Sequence, residues 1–331
     1  MTEEYDKIAE IVGSANRIVI LQADNPDADS LGSALALEQI LHTMGKDPIL
    51  YCSMDAPNYL RYLSGWDRVN NILPDNFDAS IIVDASSLSL FEKLFSKGPQ
   101  QQLMTKPSIV LDHHGSVADP IGFASVMLND ATSSSTGELI YALAKSLKWD
   151  MSVNAQGFLM TAILGDTQGL SNSLTGANTY RVLADMTDAG VDRPTLEETR
   201  RLAMKMPEVI FRYKAELIKR SEFYLNNRLA IVTIPQSEIN EFSPLYNPAP
   251  LIQNDLLQTE GVGVTVVLKS YDDGHITAAI RGNPGNAICD QLAEHFGGGG
   301  HKLASGFKIQ DGRELVDIKT ECVDTTKQLL G

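Results

Sequence analysis

The chain contains no run of about 18 or more apolar residues, so no segment of it predicts a membrane-spanning helix. Cysteine is scarce: Cys52, Cys289 and Cys322 lie far apart with no CxxC spacing. That excludes a disulfide framework and a structural zinc site and fits a reducing, cytoplasmic setting. The start, MTEEYDKIAE, is acidic and lacks the basic-then-apolar layout of a signal peptide, which points the same way. Basic clusters are missing too. Apart from Arg200–Arg201, no Lys/Arg group stands out, and the net charge is −15. A protein that grips long nucleic acid by its phosphates needs a basic patch. Long nucleic acid and membranes are therefore excluded as partners, and any phosphate-bearing substrate should be short.

What is present is an ordinary globular composition over 331 residues, long enough for two domains. Residues 17–22 (RIVILQ) predict a buried strand and 30–44 a helix with Leu31, Ala34, Leu37, Leu41 and Met44 on one face. Apolar runs at 48–51, 79–84 and 108–112, with helical patterns at 134–147, 153–165 and 177–189, predict an α/β domain with a mostly parallel sheet. The charged segment 195–222 reads as a connecting helix. Beyond it, strands at 229–234, 262–269 and 275–281, a helix at 286–296, the run 297-GGGGHKLASG-306 and a closing helix at 313–329 predict a smaller α/β domain. The expected organisation is 1–192, a helical linker 193–225, and 226–331. Pro244, Pro248 and Pro250 mark an irregular loop.

In open parallel sheets, sites form at the carboxyl ends of strands. Acidic residues or histidines stand at such ends or on a helix in four places: Asp27 and Asp29, Asp84, Asp112-His113-His114, and Asp166. Oxygen donors mixed with imidazole suit a borderline divalent ion such as Mn²⁺. A carboxylate bridging two ions is the usual frame for two-metal phosphoryl hydrolysis. The stretch 20-ILQADNPDADSLGS-33 has competing readings. An EF-hand loop is opposed by Leu31 at its fifth position and by the lack of a preceding helix. An aspartyl-phosphate nucleophile is a second, and capping of the helix by Asp29 or Ser30 a third.

Taken in order, 26-PDADSLGS-33, Asp84, 112-DHHGS-116 and 165-GDTQG-169 resemble the DHH phosphoesterase superfamily, and 281-RGN-283 with 297-GGGGHKLASG-306 resembles a DHH-associated domain. The two-domain layout is most similar to the nanoRNase branch, which degrades very short oligonucleotides and removes the 3′-phosphate of pAp. The resemblance implies a phosphodiesterase or phosphatase acting on 2–5-nucleotide RNA or DNA, on mono- or dinucleotides such as pApA, or in cyclic dinucleotide turnover. It implies two Mn²⁺ ions, with Mg²⁺ or Co²⁺ as alternatives, and is compatible with a homodimer.

Carried onto this chain, the resemblance assigns Asp27 to one metal and Asp29 to the other, with Asp84 as the bridge. His113 and Asp166 complete the ligands of the second metal. His114 would stand beside the scissile phosphate, and Asp112 would orient a histidine. Arg281, Asn283 and His301 would hold the substrate's far phosphate or base, and Gly298, Gly299 and Gly300 would bring backbone N–H groups to an anion. One position departs. The family pattern H-x-x-PD-x-D has Ala23 where the histidine belongs, flanked by Gln22 and Asp24. That motivates one alternative, a nucleotide-binding protein with weakened catalysis; a hydrolase of another small phosphate compound is a second.

The remaining residues have plain readings. His42, His275 and His295 are expected at the surface, Trp66 and Trp149 in packing, and 133-SSST-136 as a helix N-cap.

Overall fold

The computed structural model describes all residues except 1–2, 97–99, 116–118 and 244–245, so Ser116 and Pro244 lie outside the described residues. Two compact units divide at Lys205/Met206.

The first unit runs α1 (Glu3–Ser14), β1 (Arg17–Leu21), α2 (Ala28–Thr43), β2 (Asp47–Tyr51), β3 (Ala79–Val83), α3 (Glu92–Ser96) and α4 (Gln100–Thr105). It continues through β4 (Ser108–Asp112), β5 (Val126–Asn129), α5 (Thr136–Leu147), α6 (Val153–Asp166), α7 (Ala177–Asp188) and α8 (Arg193–Ala203). The sheet order is β2-β1-β3-β4-β5 with every pairing parallel. Alternation along β1 explains why its residues are almost all apolar. Ile18 and Ile20 enter the core beneath α2, α5 and α6, while Val19 and Leu21 enter the opposite one with Phe91, Leu94 and Leu103. A strand covered on both faces has no polar side to display.

Three glycines let the helices on the first face approach closely. A Cβ on Gly32 of α2 would meet Phe158 O of α6 at 2.8 Å, and one on Gly165 of α6 would meet the Ala28 Cβ at 2.7 Å. A Cβ on Gly137 of α5 would meet the Ala162 Cβ at 2.6 Å. This contact fixes the N-terminal ends of α2 and α5 against the C-terminal end of α6.

The second unit contains α9 (Glu208–Lys219), β6 (Glu222–Tyr224), β7 (Leu229–Pro235), α10 (Gln236–Phe242), α11 (Pro248–Leu257), β8 (Val264–Ser270) and β9 (Ile276–Gly282). It closes with α12 (Cys289–His295), β10 (Gly299–His301), β11 (Ala304–Ile309) and α13 (Leu315–Leu330). Its sheet, β10-β11-β9-β8-β7-β6, is antiparallel except for the β7–β8 pair. One face packs under α12 and α13, the other under α9 and α11.

Three expectations are corrected. The connecting helix is two helices, because Pro207 cannot continue α8 and instead stands at the N-cap of α9. The first belongs to unit one, the second to unit two, where Ile210, Tyr213 and Leu217 are buried. The proline-marked loop contains α11, which Pro248 opens at its first position with Asn247 as cap. The expected strands of this unit also omitted one: Gly299–His301, within the glycine run, is an edge strand.

Candidate metal and phosphate site

Asp29, His113, Asp84 and Asp166 come from four separate elements and meet at one point. His113 Nε2 lies 2.9 Å from Asp166 Oδ2, 3.6 Å from Asp29 Oδ2 and 3.7 Å from Asp84 Oδ1. Donor atoms of Asp29, His113 and Asp166 all lie within 4.8 Å of one another, as do those of Asp84, His113 and His114.

Asp29 is fully buried, and α5 holds it. Thr136 N–H and Gly137 N–H donate to its two oxygens at 2.7 and 2.9 Å, and the Ser33 hydroxyl donates at 3.2 Å. The first turn of a helix offers free N–H groups and the positive end of its dipole. Even so, burial and the neighbouring Asp166 push the Asp29 carboxyl up to about 6, against the opposing pull of His113 and α5. Burial also raises Asp84 well above the usual carboxylate range, reinforced by Asp29, Asp27 and Asp166. Its backbone is left-handed, with φ 58°, a conformation that costs a non-glycine residue energy and is typical of functional positions. Thr136 Oγ1 donates to it at 3.1 Å.

The DHH tripeptide divides its work. Asp112 is buried and accepts from the Ser86 hydroxyl, from His113 N–H at 2.8 Å and from His114 N–H at 3.3 Å. Burial would raise its pKa, but these donors and the His114 ring outweigh it and hold Asp112 low. His114 Nδ1 sits 2.7 Å from Asp112 Oδ1, which raises the His114 pKa and leaves Nε2 as the outward atom of a half-exposed ring. For His113, burial works against the charged form, yet Asp166 and Asp29 raise its pKa overall. Its Nδ1 is buried and has no hydrogen-bond partner among the described residues.

A fully buried aspartate and further carboxylates gathered about one imidazole nitrogen are costly unless a cation joins them. The donors, carboxylate oxygen with imidazole, fit a divalent transition ion or Mg²⁺.

Asp27 is a member of neither group of converging donors, though its charge is close enough to help raise Asp84. It is the N-cap of α2: its Oδ1 accepts from Ser30 N–H at 3.0 Å while its own N–H donates to Ser30 Oγ at 2.9 Å. The capping reading thus holds, but for Asp27 rather than Asp29 or Ser30, because the helix begins at Ala28. At the departure from the family pattern, Ala23 is buried among Leu21, Tyr51 and Phe91. Asp24 does not swing in to replace it; the Ser53 hydroxyl and Lys93 N–H engage its two oxygens. Gln22 is buried, and neither atom of its amide has a hydrogen-bond partner among the described residues.

In the second unit the register places His301 opposite Ala304 and Ala304 opposite Arg281. Arg281 and His301 therefore share one row on one face, with only a methyl between them, and both are exposed. Their companions differ from the expectation. Asn283 spends its amide N–H groups on Leu257 O and Val262 O, both at 3.0 Å, closing a turn. Gly298 and Gly300 are packing residues: an added Cβ would meet Gly306 O at 2.3 Å and Ser305 Cα at 2.6 Å. Gly299 alone of these three faces open space. Gly300→Ala, also at φ 140°, should cost about 1–3 kcal/mol in urea denaturation, whereas Gly299→Ala should be near neutral. Equal midpoints for the two variants would contradict this packing account.

The comparisons with known proteins agree with this layout. The DHH family, N-terminal domain, matches residues 17–163, which span β1, Asp84, the DHH tripeptide and most of α6. This segment is a DHH-family domain. Along its length this chain is 24% identical over 305 residues to the uncharacterized protein MG371 homolog of Mycoplasma pneumoniae, covering 89% of this chain and 86% of that one. It is 23% identical over 316 residues to the bifunctional oligoribonuclease and PAP phosphatase NrnA of Bacillus subtilis, covering 92% and 94%. The fold matches the crystal structure of an exopolyphosphatase-related protein from Bacteroides fragilis, with a TM-score of 0.82 at 20% identity over the whole of both chains. With its DHH-family domain, this chain is an enzyme of the phosphoester-hydrolase class.

Proposed function

We propose that this chain is a metal-dependent phosphodiesterase or phosphatase of short nucleotides, taking 2–5-mers, dinucleotides such as pApA, or the 3′-phosphate of pAp. The observation that carries the reading is the convergence of Asp29, Asp84 and Asp166 on one atom, His113 Nε2. Asp29, His113, Asp166 and Asp84 would hold one divalent ion, and Asp84 with Asp27 a second. Bound there, such ions would neutralise phosphate oxygens and lower the pKa of water, and Mn²⁺ suits the mixed donors.

The protein's own groups supply the rest. Asp112 accepts at His114 Nδ1, which fixes the ring and directs Nε2 outward. The raised pKa of His114 keeps a proton available near neutrality for a departing ester oxygen. Asp112 itself stays ionised, so it steadies the imidazolium without taking its proton. Arg281 and His301 form a shelf suited to a phosphate or a base edge.

With Mn²⁺, the purified protein should hydrolyse at least one of pAp, pApA and 2–5-mer RNA, and Asp84→Ala should not. Ala23 favours a second reading, a nucleotide-binding protein with little catalysis. Tight nucleotide binding without turnover above the Asp84→Ala control would select that reading and remove the enzymatic one.

A further inference from the structure

One residue from the carboxylates opens a cavity of about 590 Å³, within the first unit. Ala28, between Asp27 and Asp29, forms part of its wall, as does Gly165, which precedes Asp166. The size suits a small organic ligand, for which about 300–1,000 Å³ is usual. Opposite walls come from Tyr59 and Tyr62 after β2 and from α8. This helix has no fully buried residue, so the space beneath it is not filled by its own side chains.

The lining is mainly apolar, with two tyrosines and few charges. Arg200 makes a bidentate pair with Glu197, at 2.8 and 2.6 Å, which fixes the guanidinium plane and cancels its charge. The same guanidinium is near enough to Tyr62 to oppose the rise that burial gives the phenol. Tyr59 is 48% exposed, and its hydroxyl is 3.4 Å from Pro26 O, beside the aspartate segment. The charged residues of the wall are Glu197, Arg200 and Arg193, and the first two are spent on each other. A planar, uncharged ring meets two phenols, a fixed guanidinium and Leu196 here. Specific polar groups are also at hand. Gln168 turns into the wall from a run of three left-handed residues, Gln168, Gly169 and Leu170, with φ of 50°, 70° and 75°. Its amide offers a donor and an acceptor together.

We propose that this cavity is a nucleobase subsite: it seats the base of a nucleotide whose phosphate lies at the carboxylate cluster. The assignment deepens the nucleotide-hydrolase reading and rests on it for the phosphate's position. It makes the base, as well as the phosphate, part of what the first unit recognises.

The test uses full-length protein in Mg²⁺ buffer and the fluorescent base analogue 1,N6-ethenoadenosine 5′-monophosphate, with ribose 5-phosphate as a base-free competitor. Arg200→Gln and Tyr59→Leu alter side chains that are about half exposed, so both variants should fold, as melting curves will verify. Each should weaken binding of the fluorescent nucleotide about tenfold, the range expected for one lost stacking partner. Competition by ribose 5-phosphate should be weak and the same in all three proteins. Equal affinity in the wild type and both variants would overturn the subsite. So would unchanged affinity with an altered mass by light scattering, which would make the cavity a protein contact. If pApA and pAp are not hydrolysed but the variants still weaken nucleotide binding, the hydrolase reading falls and the base site stands.

Discussion

Asp84→Asn should yield a protein that is inactive yet more stable when metal-free. Asp84 is 8% exposed at its side chain, and burial together with Asp29, Asp27 and Asp166 disfavours its charge. Asparagine keeps the shape and can still accept from Thr136 Oγ1. It also tolerates the left-handed backbone at φ 58° better than most residues. Removing the charge should therefore stabilise the metal-free protein by about 1–3 kcal/mol. Loss of the shared carboxylate should remove several kcal/mol of transition-state stabilisation, on the order of a thousandfold in rate. Paired thermal melts in chelator and a turnover assay in Mn²⁺ measure both. A lower melting temperature for the chelated variant would mean that the carboxylate is not under electrostatic stress. This pairing of gain and loss distinguishes a functional carboxylate from a structural one, whose removal would only destabilise.

The second large effect concerns metal removal and pH. Asp29 titrates at about 6 in the folded protein against an ordinary 3.8. A raised folded pKa contributes stability that is complete below the unfolded value and lost as pH rises through the folded one. Asp84 is raised as well, and so are His113 and His114, so their contributions fade in the same direction, the histidines' above about 6.5. Within the cluster Asp112 runs the other way, losing its contribution as pH falls below the usual carboxylate range. The chelated protein should thus melt at progressively lower temperature from pH 5 to pH 8. Added Mn²⁺ should restore the melting temperature most at pH 8 and least at pH 5, because protons compete for the same donors. Melts with and without chelator across that range would show it. A shift on metal addition that is independent of pH would disconnect the carboxylate cluster from metal binding.

Much of the DHH domain was legible because its strands are buried on both faces, so that RIVIL, ASIIV and SIVLD read as unbroken apolar runs. Elements without such a signature escaped. β5 is short and partly exposed, and the edge strand Gly299–His301 is nearly all glycine. α11 hid behind its prolines because a proline that opens a helix and one that breaks it look alike without the preceding cap. The carboxylates and histidines of the site were legible because spacing at strand ends is itself a sequence property. Their supports were not. The N–H groups of Thr136 and Gly137 that hold Asp29 carry no side-chain signal. The walls Tyr59, Tyr62, Gln168 and Arg200 come from distant segments with no shared pattern.

By itself, then, the sequence determined the class of fold, the chemistry of the donor atoms and the family, because periodicity and residue type are local quantities. Tertiary structure alone decided that Asp27 caps a helix while Asp29 is buried. It also decided that Asp24 is tied to Ser53 and Lys93, and that Asp84 carries a left-handed backbone. Those outcomes depend on which groups compete for each carboxylate once α2, α5 and α6 close together, and that competition exists only in the folded chain.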